Sequence, residues 1–351
     1  MFETFGFETV TPQGAAVVLG LALGVLFGAL AEVTRFCLRR AVAGRPEERS
    51  SAAGVWLLAL AAAILGTQLA VAADLVSFAN HRFAAADLPW LAVVAGGLMF
   101  GAGMVLTRGC MSRLTVLMGS GNLRALTVLL VFAVVAHATL KGVLAPIRTA
   151  LGSVTVPMGE FATLSALPGG ALVWAALLAA LAAGLALRSG AERRELILAG
   201  LLGLLVPAAW VGTGFVLYDE FDPIAMESLS FTSPAAESLF WSVAATSIPA
   251  GFGVGLLGGT IVGAAGSALL GGRFRWQSFC SAPQTGRYVL GAALMGMGGV
   301  LAGGCTIGAG LSGVPTLSVA AMLALASIVL GAIVTDRASV REGRATAIPA
   351  E

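Results

Sequence analysis

The sequence predicts an all-α integral membrane protein of about nine transmembrane helices with short re-entrant segments, and three observations carry that prediction. Only 11% of the residues are charged and 58% are hydrophobic, whereas a soluble domain carries about 25% charged residues. Nine stretches are apolar over the roughly 20 residues that a helix needs to cross a hydrocarbon core of about 30 Å. The basic residues between those stretches fall almost entirely on alternate loops. Most of such a surface must face something other than water. The period-two alternation of a membrane barrel is absent.

In chain order the spans are expected at roughly 14–33, 54–76, 88–107, 122–150, 169–187, 195–217, 239–271, 286–303 and 316–335. The fourth and seventh exceed a single crossing. Pro146 and Pro249 are their candidate break points, since proline removes a backbone donor. With the N-terminus outside, the inward segments hold Arg35, Arg39, Arg40, Arg45 and Arg49; Arg108, Arg113 and Arg124; Arg188, Arg193 and Arg194; Arg273, Arg275 and Arg287; and Arg337, Arg341 and Arg344. Those are 17 of the 20 basic residues, leaving Arg82, Lys141 and Arg148 on the outer side. The positive-inside rule then predicts a multi-pass inner-membrane protein with its N-terminus outside and its C-terminus cytoplasmic. Residues 1–8 carry no Lys or Arg, so the first apolar run reads as a membrane helix rather than a cleaved signal.

The outer segment between the sixth and seventh spans carries Asp219, Glu220, Asp222, Glu227 and Glu237 and reads as a solvated surface with a turn at Asp222–Pro223. No gap leaves room for a soluble domain, so the chain reads as a single transporter domain with repeat-like halves at roughly 14–150 and 195–335. The net charge of +2 gives no reason to expect a nucleic-acid partner. There is no phosphate-binding G-x-x-x-x-G-K-[ST] run, so the chain is not expected to hydrolyse ATP. No cofactor is implied.

Aligning Cys110 with Cys305 reveals an internal repeat. Between 96–110 and 291–305, seven of fifteen positions are identical: Gly96, Gly101, Gly103, Val105, Leu106, Gly109 and Cys110. In the expected topology one span runs inward and the other outward, the signature of an inverted repeat with a site near the midplane. Phe36–Cys37 and Phe279–Cys280 form a second echo, but on the same side. Either the long seventh span is broken or that echo is accidental. Each Gly-Cys is followed by a short, weakly apolar segment, Met111 to Gly119 and Thr306 to Gly313. These suit re-entrant loops, whose short-helix N-termini would offer N–H groups and positive dipole ends to an anion.

The four cysteines fit neither a disulfide nor a zinc framework, and there is no C-x-x-C. A buried free cysteine is commonly just a small hydrophobe. The repeated Gly-Cys turns argue for more at Cys110 and Cys305, less at Cys37, and least at Cys280. The run Gly-Gly-Cys-Thr-Ile-Gly-x-Gly-Leu-Ser-Gly at 303–313, Arg-Phe-Cys at 35–37, Gly-Cys at 109–110 and Ser228-Leu-Ser-Phe231 together resemble the YeeE/YedE family of membrane proteins over nearly the whole chain. The resemblance implies an all-helical bundle whose inward loops bring cysteines onto a central path. It further implies uptake of thiosulfate or a related sulfur or selenium species. Carried over by motif, Cys37, Cys110 and Cys305 would be the relay cysteines. Gly109, Gly304 and Thr306 flank them, and Arg108 stands where the family tends to have glycine. A small cytoplasmic sulfur-carrier protein is a partner by resemblance only.

The implied mechanism is passage of a divalent sulfur anion by successive weak contacts, with neutral thiols donating S–H and backbone N–H groups stabilising the charge. His137 and Lys141, four apart on the fourth span, are further candidates because intramembrane ionisable residues are functional by default. Their plainer reading is a packed histidine and a snorkelling lysine. Arg82 and Arg148 read as interface anchors that could also gather anions. Two rivals belong to other classes. One is a sulfur-transfer or thiol redox enzyme, against which stands the lack of a cysteine pair close in sequence. The other is a soft-metal permease using thiolates, against which stands the lack of Met- or His-rich clusters.

Overall fold

The computed structural model describes residues 11–279 and 281–345. Among them, nine helical segments are long and apolar enough to cross a membrane, in register with the nine expected spans. In chain order the helices are α1 (Pro12–Val33), α2 (Leu38–Ala43), α3 (Pro46–Ala72), α4 (Trp90–Leu106), α5 (Met111–Gly119), α6 (Leu123–Lys141), α7 (Ala145–Gly152), α8 (Gly170–Leu187), α9 (Arg193–Val211), α10 (Thr232–Ala244), α11 (Phe252–Leu270), α12 (Ala282–Leu301) and α13 (Val319–Ala345). A π-helix at Thr306–Gly313 separates the last two. The two-residue strands β1 (Asp87–Leu88) and β2 (Val156–Pro157) pair antiparallel and tie two loops together.

Both overlong spans break where proline allows. The fourth stops at Lys141, and Pro146 opens the separate short helix α7. Arg148 folds back to donate to the Thr139 carbonyl at 3.2 Å, a structural cap on the freed end of α6. The expected seventh span, 239–271, is two helices with Pro249 between them, and only α11 is long enough to cross.

Glycine decides how closely the helices pack. Gly20, Gly24 and Gly28 of α1 lie against the carbonyls of Phe252, Leu256 and Thr260. Reciprocally, Gly255, Gly259 and Gly263 of α11 lie against Val17, Leu21 and Val25. Both series rise together, so the two helices run parallel, with no room for a Cβ at any contact. Small residues at every fourth position are how membrane helices gain van der Waals contact without a hydrophobic driving force. At one end the seam is locked by Glu32, which accepts from Arg273 Nε at 2.9 Å and from Ser267 Oγ at 2.9 Å.

The repeated helices α4 and α12 pack antiparallel. A Cβ on Gly298 would sit 2.6 Å from the Gly96 oxygen, and one on Gly291 2.9 Å from the Gly103 oxygen. Under the sequence alignment of the repeat, Gly96 matches Gly291 and Gly103 matches Gly298, so these two contacts exchange. The loops after α1, α4, α8 and α11 meet on one arginine-rich face, joined by pairs such as Arg49–Asp336 at 2.8 Å and Asn122–Gln277 at 3.0 Å. The remaining loops meet on the opposite face, where Leu164 bonds Leu317 at 2.9 Å.

Filling the parallel seam should destabilise the protein by about 1–3 kcal/mol, the usual cost of overpacking. Gly24→Val and Gly259→Val are expected to lower the thermal unfolding midpoint in detergent. Gly258→Ala, with nothing within 4 Å of the added carbon, should leave it unchanged.

Candidate functional site

Three buried cysteines share one local structure. α1, α4 and α12 each end at a helical cap, Thr34, Thr107 or Ala302, whose N–H returns to the carbonyl of Leu30, Gly103 or Gly298. The next residue is left-handed: Arg35 at φ 51°, Arg108 at φ 59°, Gly303 at φ 73°. Two residues further on, Cys37, Cys110 or Cys305 is extended and immediately precedes α2, α5 or the π-helix. Glycine takes the left-handed turn freely, while an arginine there costs about 1–2 kcal/mol. The position where Arg108 departs from the resembled family is therefore one that favours glycine.

The turns bring the predicted residues into two groups. Cys37 and Cys110, 4% and 1% exposed, have their Sγ atoms 3.8 Å apart, and Cys110 also meets Ser112 Oγ at 3.4 Å. A pair 73 residues apart in sequence is thus close in space, which the absence of C-x-x-C concealed. The Gly109 carbonyl accepts from Thr107 Oγ1 at 3.0 Å, fixing the turn before Cys110. Cys305, 0% exposed, accepts from Gly308 N–H at 3.4 Å. A Cβ on Gly304 would come within 2.7 Å of Ala309 N, so the turn closes onto the π-helix only with glycine there. Thr306 Oγ1 is buried with no protein partner. His137 and Lys141 line a cavity of about 480 Å³ together with Glu227 and Glu237, where His137 stacks on Phe240 with ring centroids 4.8 Å apart and no described cysteine is present. Cys280 lies outside the described residues.

A cavity of about 560 Å³ opens on the opposite face and is floored by Gly308 and Ser312 of the π-helix that follows Cys305. Its walls include His81, Arg82, Trp210, Glu227, Ser228 and Ser230. The backbone from Ser228 to Phe231 dips into the bundle between α9 and α10. Two of its polar groups bond to neighbouring elements, the kind of enclosure that irregular backbone at depth requires. Ser228 Oγ donates to the Val206 carbonyl at 3.0 Å, and the Leu229 carbonyl accepts from Ser312 Oγ at 2.7 Å. Phe231 packs on Phe27 with centroids 5.2 Å apart. Trp210 Nε1 is buried without a protein partner.

The charges of this cavity correct the reading of residues 219–237 as wholly solvated surface. Glu227 is drawn into the wall, where burial first and repulsion from Glu237 second push its carboxyl up to about 7, against an opposing pull from Arg82. Burial, then the Arg82 charge, holds His81 down at about 4. It is therefore neutral at pH 7, and its Nδ1 accepts from Phe83 N–H at 3.3 Å. Burial lowers the pKa of Arg82, against an opposing pull from Glu227. His81, Trp210 and Glu227 were not singled out as site residues from sequence. Only the Ser228-Leu-Ser-Phe231 run pointed to this segment.

On the arginine-rich face, a second cavity of about 370 Å³ is lined by Cys37, Arg39, Arg40, Arg45, Arg108 and Arg113. Two cavities therefore approach from opposite faces, one lined directly by Cys37 and the other floored by the helix bonded to Cys305.

The thiosulfate transporter TsuA of Escherichia coli is 27% identical over 344 residues, covering 90% of this chain and 92% of that protein. The thiosulfate transporter TsuA of Spirochaeta thermophila is 26% identical over 327 residues, covering 89% and 96%. A family model described as sulphur transport matches residues 33–334. That match runs from the end of α1 through all three cysteine turns into α13, and the chain belongs to the sulphur-transport (YeeE/YedE) family.

Proposed function

We propose that the protein is a permease that takes up thiosulfate, the anion named in both relatives, along a path lined by Cys305, Cys110 and Cys37. The observation that carries this reading is the pair of opposed cavities, one lined by Cys37 and the other floored by the π-helix that follows Cys305. Arg82, Trp210 Nε1 and the serines of the outer cavity gather the dianion. Backbone N–H groups at the starts of α5 and the π-helix stabilise its charge at depth, and neutral thiols hand it on by weak S–H contacts. Sites of this strength admit an ion and release it again. The two repeat-like halves, 14–150 and 195–335, each contribute a Gly-Cys turn. The arginine-rich face is cytoplasmic by the positive-inside rule, which places the N-terminus outside the inner membrane. It is also where a small sulfur-carrier protein would receive the product.

A second reading draws on the 3.8 Å separation of the Cys37 and Cys110 sulfurs, a pair that thiol redox catalysis could use. Product formation by detergent-solubilised protein without a membrane would favour it. Permeation needs sealed vesicles.

Labelled thiosulfate uptake into proteoliposomes tests the path. Cys110→Ala and Cys305→Ala, with the protein still monodisperse, should each lower the initial rate by about tenfold or more, as expected for losing one site in a series. Wild-type-like uptake by both variants would reduce these cysteines to packing.

The outer mouth should also be pH-sensitive. With its carboxyl titrating at about 7, Glu227 is about nine-tenths ionised at about pH 8 and about one-tenth at about pH 6. Thiosulfate keeps both charges over this range, so protonation removes a repulsive charge from the mouth. Uptake should rise several-fold as the outside is acidified. Glu227→Gln should be fast and flat with pH; a variant that kept the wild-type profile would place the titrating group elsewhere.

A further inference from the structure

The cavity on the arginine-rich face carries more positive charge than membrane orientation requires. Five guanidiniums line about 370 Å³ together with one carboxylate, Glu48, which Arg40 already holds at 3.2 Å. Arginines at the rim satisfy the positive-inside bias. That bias does not account for Arg113, which reaches inward and donates to the Ala31 carbonyl at 3.2 Å, leaving most of its five donors without a protein acceptor. Nor does it account for Arg39, whose Nε is buried with no protein partner. Arg108 holds a left-handed backbone at φ 59°, while the matching turn before Cys305 uses Gly303. Strain of this kind persists where the surroundings enforce it and clusters at functional sites. Cys37 lines the same cavity.

We infer that this cavity binds a small divalent oxyanion. It holds the transported dianion once it has passed Cys37, and sulfate or phosphate entering from the same side competes for the site, so that its occupancy restrains net uptake. The planar guanidinium fork pairs with oxyanion edges in two-point contacts. Arg39, Arg108 and Arg113 line the cavity together with Cys37 and supply such forks, Arg108 from its exposed edge. The identity of the cargo and the cytoplasmic side rest on the permease reading above; binding of an oxyanion does not.

The test uses a binding readout that needs no transport. In a variant whose sole cysteine is Cys37 (Cys110→Ser, Cys280→Ser, Cys305→Ser), modification by the small neutral reagent N-ethylmaleimide is followed by intact mass in detergent micelles free of anionic lipid. Sodium sulfate should slow labelling saturably at constant ionic strength while chloride does not. Adding Arg108→Gln should raise the half-protecting sulfate concentration about tenfold, the loss of one charge-assisted contact. Equal protection by chloride, or protection indifferent to Arg108→Gln, overturns the site. If the single-cysteine variant does not fold, the wild type decides. Sulfate sealed inside proteoliposomes should slow initial thiosulfate uptake several-fold relative to chloride, and an unchanged rate overturns the inference. Absence of uptake under either condition would count against the permease reading, with the labelling experiment still deciding the site.

Discussion

The close approach of glycine to carbonyl along the α1–α11 and α4–α12 seams is the contact on which the rest of the structure depends. Hydrocarbon offers no hydrogen bonds, so backbone that leaves helical geometry at depth must be enclosed by protein. The three cysteine turns, the π-helix and the Ser228–Phe231 dip all leave that geometry. They are sealed because neighbouring helices sit backbone to backbone, Gly24 on Leu256 and Gly298 on Gly96, while Gly308 lies against the Ser230 side chain. A side chain at any of the seam glycines would wedge the helices apart and open the irregular segments to lipid.

Enclosure also governs where charge can reside. A charged side chain in the apolar middle is costly. Titratable groups line the cavities instead, Arg82, Lys141 and Glu227 towards one face and Arg39, Arg108 and Arg113 towards the other. Between them lie uncharged donors: thiols, the Thr306 hydroxyl and the N–H groups of short helices. Charges thus stand in the cavities and uncharged donors between them. That division suits conduction better than retention.

The glutamate in the cavity wall shows how one local charge can offset another. Glu227 faces Arg82 and so offsets part of its positive field, while burial raises its carboxyl so that it is only about half ionised at about pH 7. The Thr213 hydroxyl holds the Glu227 backbone on both sides, donating to its carbonyl at 2.7 Å and accepting from its N–H at 3.0 Å. The position of this group is therefore set by the fold of the dip rather than by its own charge.

Much of the architecture was legible from residues alone, because membrane spans are set by length, apolarity and the side on which arginines fall, all local properties. The nine spans, the breaks near Pro146 and Pro249, and the repeat around Cys110 and Cys305 belong to that class. The pairing of Cys37 with Cys110 does not, since two residues 73 apart meet only when α5 packs on α1 and α2 on α4. The acidic segment was misjudged for the same reason. Glu227 looks like loop surface in sequence, and only the dip held by Ser228, Thr213 and Ser312 turns it into a cavity wall. The sequence by itself determined which segments enter the membrane and which turns can bend there. Tertiary packing decided which side chains those turns bring together, because that depends on contacts between helices far apart in the chain.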